Sequence, residues 1–484
     1  MRRWDKAAWW TAAALAGGAL FFYRLGDMGM VGPDEPRYAA VARQMAQTSD
    51  WVTPRLWGQP WFEKPPLLYW MTAAAFHLGL GPDWGPRLPV ACLSALFLLF
   101  FYWRMRAEFG PAAAGYGTTV LATSAGWVGF SHAAVFDVPL AATLGAGMLC
   151  LLGWVERGER RGLAAFAGLV GLSTLAKGLV GPVLAVLAVL AWGARMGWRQ
   201  LGALARPAPA LAFAAVALPW YVWCYARNGK VFLEEFIWQH HLARFGGGLD
   251  HNQPVWFFLP VLAAGLLPWT PLYSRLGEAW VWRERRPFFL LAWAGATVVF
   301  FSLSRDKLPG YVLPAMPALA ALAGLALARE SKPGLALPLS GLLLGLLAPG
   351  SAVLPAALAR GLGEAMGQAR FPLQAMVAVG VIAVVVWRAE HAGWRSLAIA
   401  AVALAAVVGY VGIKRDAFEA IDRMAGTRWL WREAQPHRDA LCLGQVRRHV
   451  EYGMQYYAGA PLPRCESTPL PYRVENDGIV LSSK

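Results

Sequence analysis

The feature that most constrains this chain is a succession of apolar runs of about twenty residues, separated by short polar or basic breaks. A run of that length matches the hydrocarbon core of a bilayer, which a helix crosses at about 1.5 Å per residue. On that reading, helices are expected near 7–23, 87–103, 112–130, 138–155, 162–176, 179–194 and 208–226, then near 255–273, 288–303, 309–328, 335–352, 371–387 and 394–413. This makes about thirteen spans. Composition agrees, because 57% of the residues are hydrophobic, only 15% are charged and 25 are tryptophan. The expected fold class is an all-α polytopic membrane protein, and an ordinary soluble domain is excluded.

A net charge of +15 could signal a nucleic-acid partner, but the Arg and Lys residues gather in short clusters between apolar runs. Arg2/Arg3/Lys6, Arg104/Arg106, Arg157/Arg160/Arg161, Arg195/Arg199/Arg206, Arg283/Arg285/Arg286, Arg329/Lys332 and Arg388/Arg395 all fall on one side if the spans alternate. The positive-inside rule makes that side the cytoplasm and removes the need for a nucleic acid. The expected location is a bacterial cytoplasmic membrane with the N-terminus inside and the C-terminus outside. The first apolar run shows no small-residue cleavage site before Asp34 and reads as a retained helix.

Two domains follow from this order. Residues 1–413 form the membrane domain, with a first outer loop at 24–86, and residues 414–484 form a small outer domain. Within the loop, Leu67 to Leu80 is apolar but short and reads as a helix lying in the interface. The tail is near the lower limit for a self-sufficient core, so docking on the membrane part or a Cys442 to Cys465 disulfide is expected to support it. Cys92, Cys150 and Cys224 lie in or beside apolar runs, and no C-x-x-C spacing occurs.

The stretch from Val31 to Trp70 concentrates the chemistry, setting Asp34, Glu35, Arg37, Tyr38, Glu63 and Lys64 between apolar segments. Outside the membrane there is no pool of ATP or nucleotide sugars, so an enzyme there takes its activated group from a lipid. A polyprenyl-phosphate sugar fits, since its phosphate leaves without a strong acid. Such a transfer needs a base for the acceptor and cations for the departing phosphate. Asp34 is the candidate base, with Glu35 beside it and Asp137 on the next outer turn as orienting groups. Lys64, Arg37, Arg244 and Lys307 are candidates for the phosphate. The bland alternatives are ordinary ones: acidic residues suit a helix N-terminus, and interfacial Arg and Lys snorkel. Lys177 interrupts a long apolar stretch at L-A-K-G, where a hairpin turn is the favoured reading over a charge facing a cavity. His77, His132 and His251 carry weaker signals.

The motifs P-D-E-P-R-Y, G-Q-P-W-F-E-K-P-P-L-L-Y-W, F-D-V-P-L, L-A-K-G, H-H-L-A-R-F and S-R-D-K-L-P-G-Y-V-L-P occur in that order. In this series the chain resembles the aminoarabinose transferase branch of the protein O-mannosyltransferase-like glycosyltransferases, in the glycosyltransferase C superfamily. The resemblance runs from about Met1 to Ala328. It implies an inverting transfer from a polyprenyl-phosphate sugar at the outer leaflet, metal-assisted or metal-independent, with no nucleotide cofactor. It implies that Asp34 is the catalytic aspartate, Asp137 the second acidic position and Lys64 the phosphate contact. Arg37, Tyr38, Arg244, Lys307 and Tyr311 fall at or near substrate-binding positions. Glu63 matches a position that holds a divalent ion (zinc, magnesium or manganese) with a later histidine, for which His240 and His241 both have compatible spacing. The partners implied are the lipid-linked donor, a membrane-associated acceptor (a lipid A-like lipid, a glycan or a protein) and the bilayer, with the protein a monomer.

Two rivals use the same residues. A lipid-linked-sugar transporter or flippase would bind through these charges without chemistry, but transporter sites favour the midplane and internal repeats. An outer-leaflet glycan ligase would need room for a longer glycan.

Overall fold

The computed structural model describes residues 11–204, 206–236, 253–330 and 332–481. Among them the chain is helical throughout, apart from a two-residue hairpin in the first loop and a three-stranded sheet near the C-terminus. Among the described residues, seven helices are long and apolar enough to cross a membrane, and an eighth is formed if Ala336–Leu347 and Gly350–Arg360, bent by 63°, count as one span. Three shorter apolar helices, Thr11–Phe22, Leu163–Lys177 and Val180–Met196, add to these.

The difference from the thirteen expected spans lies mostly in how glycine and proline cut the apolar runs. Residues 87–103 and 112–130 were expected as separate spans, and Leu88–Ala122 is continuous except at Gly110, where φ 84° and ψ 172° break the helix before Pro111. A Cβ on Gly117 would stand 3.5 Å from the Phe101 ring. A straight helix would hold those positions roughly 24 Å apart, so the run folds back on itself as a hairpin. The run expected at 255–273 yields only the short helix Phe258–Gly265 and a tight turn over Thr270–Gly277. Lys177 ends its helix, and Gly178 at φ 70° starts the turn into the next, as the L-A-K-G reading expected.

Asp137–Arg157 is the central span, with residues 138–155 all buried inside the protein, and Pro309–Arg329 packs nearly as deeply. A helix apolar on every face needs such an interior position. Large apolar side chains such as Leu96, Trp103, Trp223, Leu303, Val381 and Leu404 are exposed on the outer helices, as a lipid-facing surface requires. Among the described residues, members of separate basic clusters meet on shared carboxylates. Arg104, Arg157 and Arg286 all pair with the buried carboxylate of Glu108, and Arg329 pairs with Glu284.

The first loop is built from the helices Asp34–Thr48 and Leu67–His77 with a hairpin between them. Arg55–Leu56 pairs antiparallel with Gln59–Pro60 across Trp57 (φ 54°) and Gly58 (φ 84°), a turn in which both central residues have positive φ. The second helix falls where an interfacial one was expected.

The domain boundary expected at 413 falls inside the helix Arg395–Met424, which runs on as one rod. Within that helix, the Lys414 ammonium donates to the Ala19 and Leu20 carbonyls at 2.9 and 2.6 Å, in the wide π-type turn Gly18–Phe22 that ends the first helix. Such a turn leaves carbonyls without intrahelical partners, and the lysine satisfies them. Beyond it, strand Leu441–Leu443 runs parallel to Tyr472–Glu475, which pairs antiparallel with Gly478–Leu481. The sheet packs with the helix Arg448–Ala458 over Leu430, Leu441, Leu443, Val450, Met454 and Val474. Cys442 and Cys465 are joined in a disulfide.

Candidate active site

Asp34 and Glu35 open the Asp34–Thr48 helix directly after Pro33, and Pro36 is tolerated in the first turn because no helical partner awaits an N–H there. Successive helical residues lie about 100° apart, so the two carboxylates face different ways. Asp34 stays accessible, its side chain 41% exposed, and accepts from Arg37 Nη2 at 2.6 Å, one turn along the same face. Glu35 turns into the protein and is 4% exposed. Its Oε1 accepts from Arg87 Nε at 3.0 Å and the Ala134 amide at 2.7 Å, and its Oε2 from Arg87 Nη2 at 2.7 Å and the Val31 amide at 2.9 Å. Glu35, expected as an orienting group, is thus turned away from the accessible face that carries Asp34. Its oxygens are committed to a buried, fully hydrogen-bonded ion pair that ties the first loop to the residues preceding Asp137.

Glu63 comes from the E-K-P-P stretch and is also buried, with its side chain 5% exposed. Arg37 Nη2 reaches its carboxylate at 3.1 Å, and Lys64 Nζ lies 3.4 Å from it. One guanidinium thus joins the accessible carboxylate to the buried one. Burial opposes the Arg37 charge, but Glu63, Tyr38 and Asp34 outweigh it and hold its pKa above the ordinary value. Burial, followed by the charge of Glu63, pushes the Tyr38 and Tyr69 phenols well above their ordinary range, so both stay neutral.

The second half of the site comes from the central helix and two later turns. Asp137 opens that helix, and its Oδ1 accepts from Lys177 Nζ at 2.7 Å. The same ammonium lies 4.6 Å from the Tyr311 ring centroid. Tyr311 donates to Asp306 Oδ2 at 3.3 Å. Gly310 passes so close that a Cβ there would meet Asp137 Cγ at 2.7 Å. Lys307 is buried and donates back to the Ser304 carbonyl of its own turn.

An aromatic bridge connects the halves. Phe136, which precedes Asp137, meets Tyr38 and Tyr69 edge-on at 4.8 and 5.4 Å. The structure thus brings together Asp34, Arg37, Tyr38, Glu63 and Lys64, and links them through Phe136 to Asp137, Lys177 and Tyr311. Arg244, His240 and His241, with His251, lie outside the described residues. Among the described residues no group of three or more His, Cys, Asp or Glu is placed to hold a metal ion. Sequence reading passed over Arg87 and Asp306, and for Lys177 it favoured a turn over a charge facing a cavity. Only Lys177 carried a local signal, a charge interrupting an apolar stretch.

Beside Gly310 an apolar cavity of about 390 Å³ opens, lined by Phe130, Val261, Pro309, Val312 and Met316 among others. Phe130 is the link, because its ring also crowds Gly310, 2.8 Å from where a Cβ would be.

The architecture has a solved counterpart. The crystal structure of ArnT from Cupriavidus metallidurans bound to undecaprenyl phosphate superposes with a TM-score of 0.77 at 27% identity, covering 94% of this chain and 85% of that one. Fold and site together define a polytopic membrane protein of the glycosyltransferase C type. In sequence, residues 13–232 match the dolichyl-phosphate-mannose-protein mannosyltransferase model. The undecaprenyl phosphate-alpha-4-amino-4-deoxy-L-arabinose arabinosyl transferase 2 of Sodalis glossinidius is 34% identical over 411 residues, 78% of this chain and 71% of that protein. The corresponding Pseudomonas aeruginosa (strain UCBPP-PA14) transferase is 35% identical over 361 residues, and the matched region spans 62% of its length. The chain belongs to this undecaprenyl-phosphate aminoarabinose arabinosyl transferase family.

Proposed function

We propose that the chain is an inverting membrane glycosyltransferase that moves aminoarabinose, or a closely related sugar, from undecaprenyl phosphate to a lipid A-like acceptor at the outer face of the bacterial cytoplasmic membrane. The observation that carries this is the accessible Asp34 carboxylate beside the Arg37, Glu63 and Lys64 cluster, in a family whose members are named for an undecaprenyl-phosphate sugar donor. In the proposed step the acceptor hydroxyl attacks the anomeric carbon and gives its proton to Asp34. The bond from that carbon to the phosphate oxygen breaks, and its electron pair leaves with undecaprenyl phosphate. Lys64 and Arg244 meet the departing charge, with Lys307 and Tyr311 on the later turn completing the donor's surroundings. Arg37 orients Asp34, and Lys177 fixes Asp137 on the facing side.

The apolar cavity beside Gly310 is of a size suited to ligands and carries almost no polar lining, which suits the isoprenoid part of the donor. The proposal includes about thirteen spans, counting the Leu88–Ala122 hairpin as two, the bent pair as one, and adding the three shorter apolar helices and the Phe258–Gly265 segment, with the N-terminus cytoplasmic. A divalent ion, if the enzyme uses one, would be held by Glu63 with His240 or His241 and would supply positive charge near the phosphate. Glu63 is already compensated by Arg37 and Lys64.

A transporter without chemistry is less well supported, because these charged pairs sit at helix starts, turns and loops, whereas transporter sites form at breaks near the midplane. The test is mass spectrometry of envelope lipids, glycans and glycoproteins from cells with and without the gene. Loss of an aminoarabinose-bearing lipid supports the reading in full, and loss of a modified glycan or protein redirects the acceptor. No change in any envelope glycoconjugate under any growth condition would sink it.

A further inference from the structure

Arg37 is held in an unusual way. Its Nη2 alone serves both Asp34 and Glu63, and its buried Nε has no hydrogen-bond partner among the described residues. Its two carboxylate contacts share one nitrogen, so the side chains packed around the guanidinium bear on how its plane is held. Three aromatic rings surround it: Tyr38 at 5.2 Å, Trp61 at 5.9 Å and Tyr452 at 5.4 Å from ring centroid to guanidinium carbon. Tyr38 and Trp61 belong to the first loop. Tyr452 arrives from the C-terminal domain, more than four hundred positions later in the chain.

Its placement is not incidental to a loose tail. Tyr452 lies on the helix Arg448–Ala458, one turn before Tyr456 and therefore on the same face. Tyr456 donates to the Pro82 carbonyl at 2.7 Å, and Arg43 Nη1 donates to the Tyr456 carbonyl at 2.7 Å while stacking on its ring. Tyr457 donates to Asp83 at 2.7 Å and accepts from the Met30 amide at 2.9 Å. Arg428, within this domain, clamps Asp83 at 3.0 Å and Asp422 at 2.7 Å. These bonds fix the helix on the first loop.

We propose that the C-terminal domain completes the active site, with Tyr452 a positioning residue whose ring holds the Arg37 guanidinium and, through it, the Asp34 and Glu63 carboxylates. A cation over an aromatic face is attracted by the ring quadrupole, and the attraction grows as water is excluded. This inference rests on the transferase reading for its kinetic arm and is independent of it for its structural arm.

The kinetic arm compares the full-length detergent-solubilised protein with Tyr452→Phe and Tyr452→Leu, using undecaprenyl-phosphate aminoarabinose as donor and purified lipid A as acceptor. Tyr452→Phe keeps a ring face and is expected to match the parent. Tyr452→Leu fills the space without one, and kcat is expected to fall about tenfold while KM for the donor and the thermal unfolding midpoint stay put. In the structural arm, peptide-resolved labelling with phenylglyoxal reads Arg37 directly. Arg37 labelling is expected to rise several-fold in Tyr452→Leu and to stay at the parent level in Tyr452→Phe. Equal turnover and equal Arg37 labelling in all three proteins would overturn the inference, as would a Leu variant whose loss tracks unfolding alone. A parent with no turnover would defeat the transferase reading and leave the labelling to decide Tyr452.

Discussion

At the scale of single residues, the decisive contrast is between neighbours. Asp34 and Glu35 look equivalent in the motif, and the helix separates them, leaving one accessible and burying the other against Arg87. Sequence reading pointed to Asp34 because a carboxylate and basic residues recur together within one outer loop. It did not separate Glu35 from Asp34, because adjacency in sequence says nothing about which face meets the core until the helix phase is known. Gly310 gives a sharp residue-scale prediction. Its φ is unremarkable, but a methyl group there meets the Asp137 carboxylate and the Phe130 ring at under 3 Å. Gly310→Ala is expected to displace Asp137 from Lys177 and lower turnover by at least about tenfold, with the protein still folded by size-exclusion chromatography. Parent-like turnover would show that Asp137 has no fixed place in the chemistry.

Elements were legible where apolar runs were long and obscure where glycine or proline cut them. The central Asp137–Arg157 span was readable from its composition, and the spans expected at 87–103 and 112–130 correspond to the two arms of the Leu88–Ala122 hairpin, whereas the run expected at 255–273 yields only Phe258–Gly265 and the turn over Thr270–Gly277. The first-loop hairpin at Trp57 and Gly58 was missed because positive φ at tryptophan carries no sequence signature. The Glu35 and Arg87 pair is the joint between these elements, linking the Asp34–Thr48 helix, the residue that caps Leu88–Ala122 and the Ala134 turn. Removing one member of a buried pair leaves the other charge uncompensated, so Arg87→Met is expected to cost about 3–5 kcal/mol. Thermal unfolding of the solubilised protein checks this. The double variant Glu35→Gln with Arg87→Met should recover part of the loss, and equal midpoints for parent and Arg87→Met would contradict the assignment.

For the whole molecule, the sequence pointed to a polytopic scaffold, with basic clusters expected on one side and reactive loops on the other. It did not show that the C-terminal domain reaches the first loop, because that contact joins residues at opposite ends of the chain. The Cys442 to Cys465 bond closes a segment with a sequence separation of 23 within that domain. Cys442→Ser is expected to destabilise the domain by about 2–5 kcal/mol, read as faster limited proteolysis beyond Met424 while the membrane part stays intact. Unchanged proteolysis would show that docking on the first loop suffices. The central claim, that Asp34 drives glycosyl transfer from a lipid-linked donor, is tested most directly by Asp34→Asn in proteoliposomes supplied with undecaprenyl-phosphate aminoarabinose and lipid A. The account predicts that the variant still binds undecaprenyl phosphate while turnover falls roughly a hundred- to ten-thousand-fold. Turnover equal to the parent, or a parent that moves the donor across the bilayer without transferring its sugar, would contradict it.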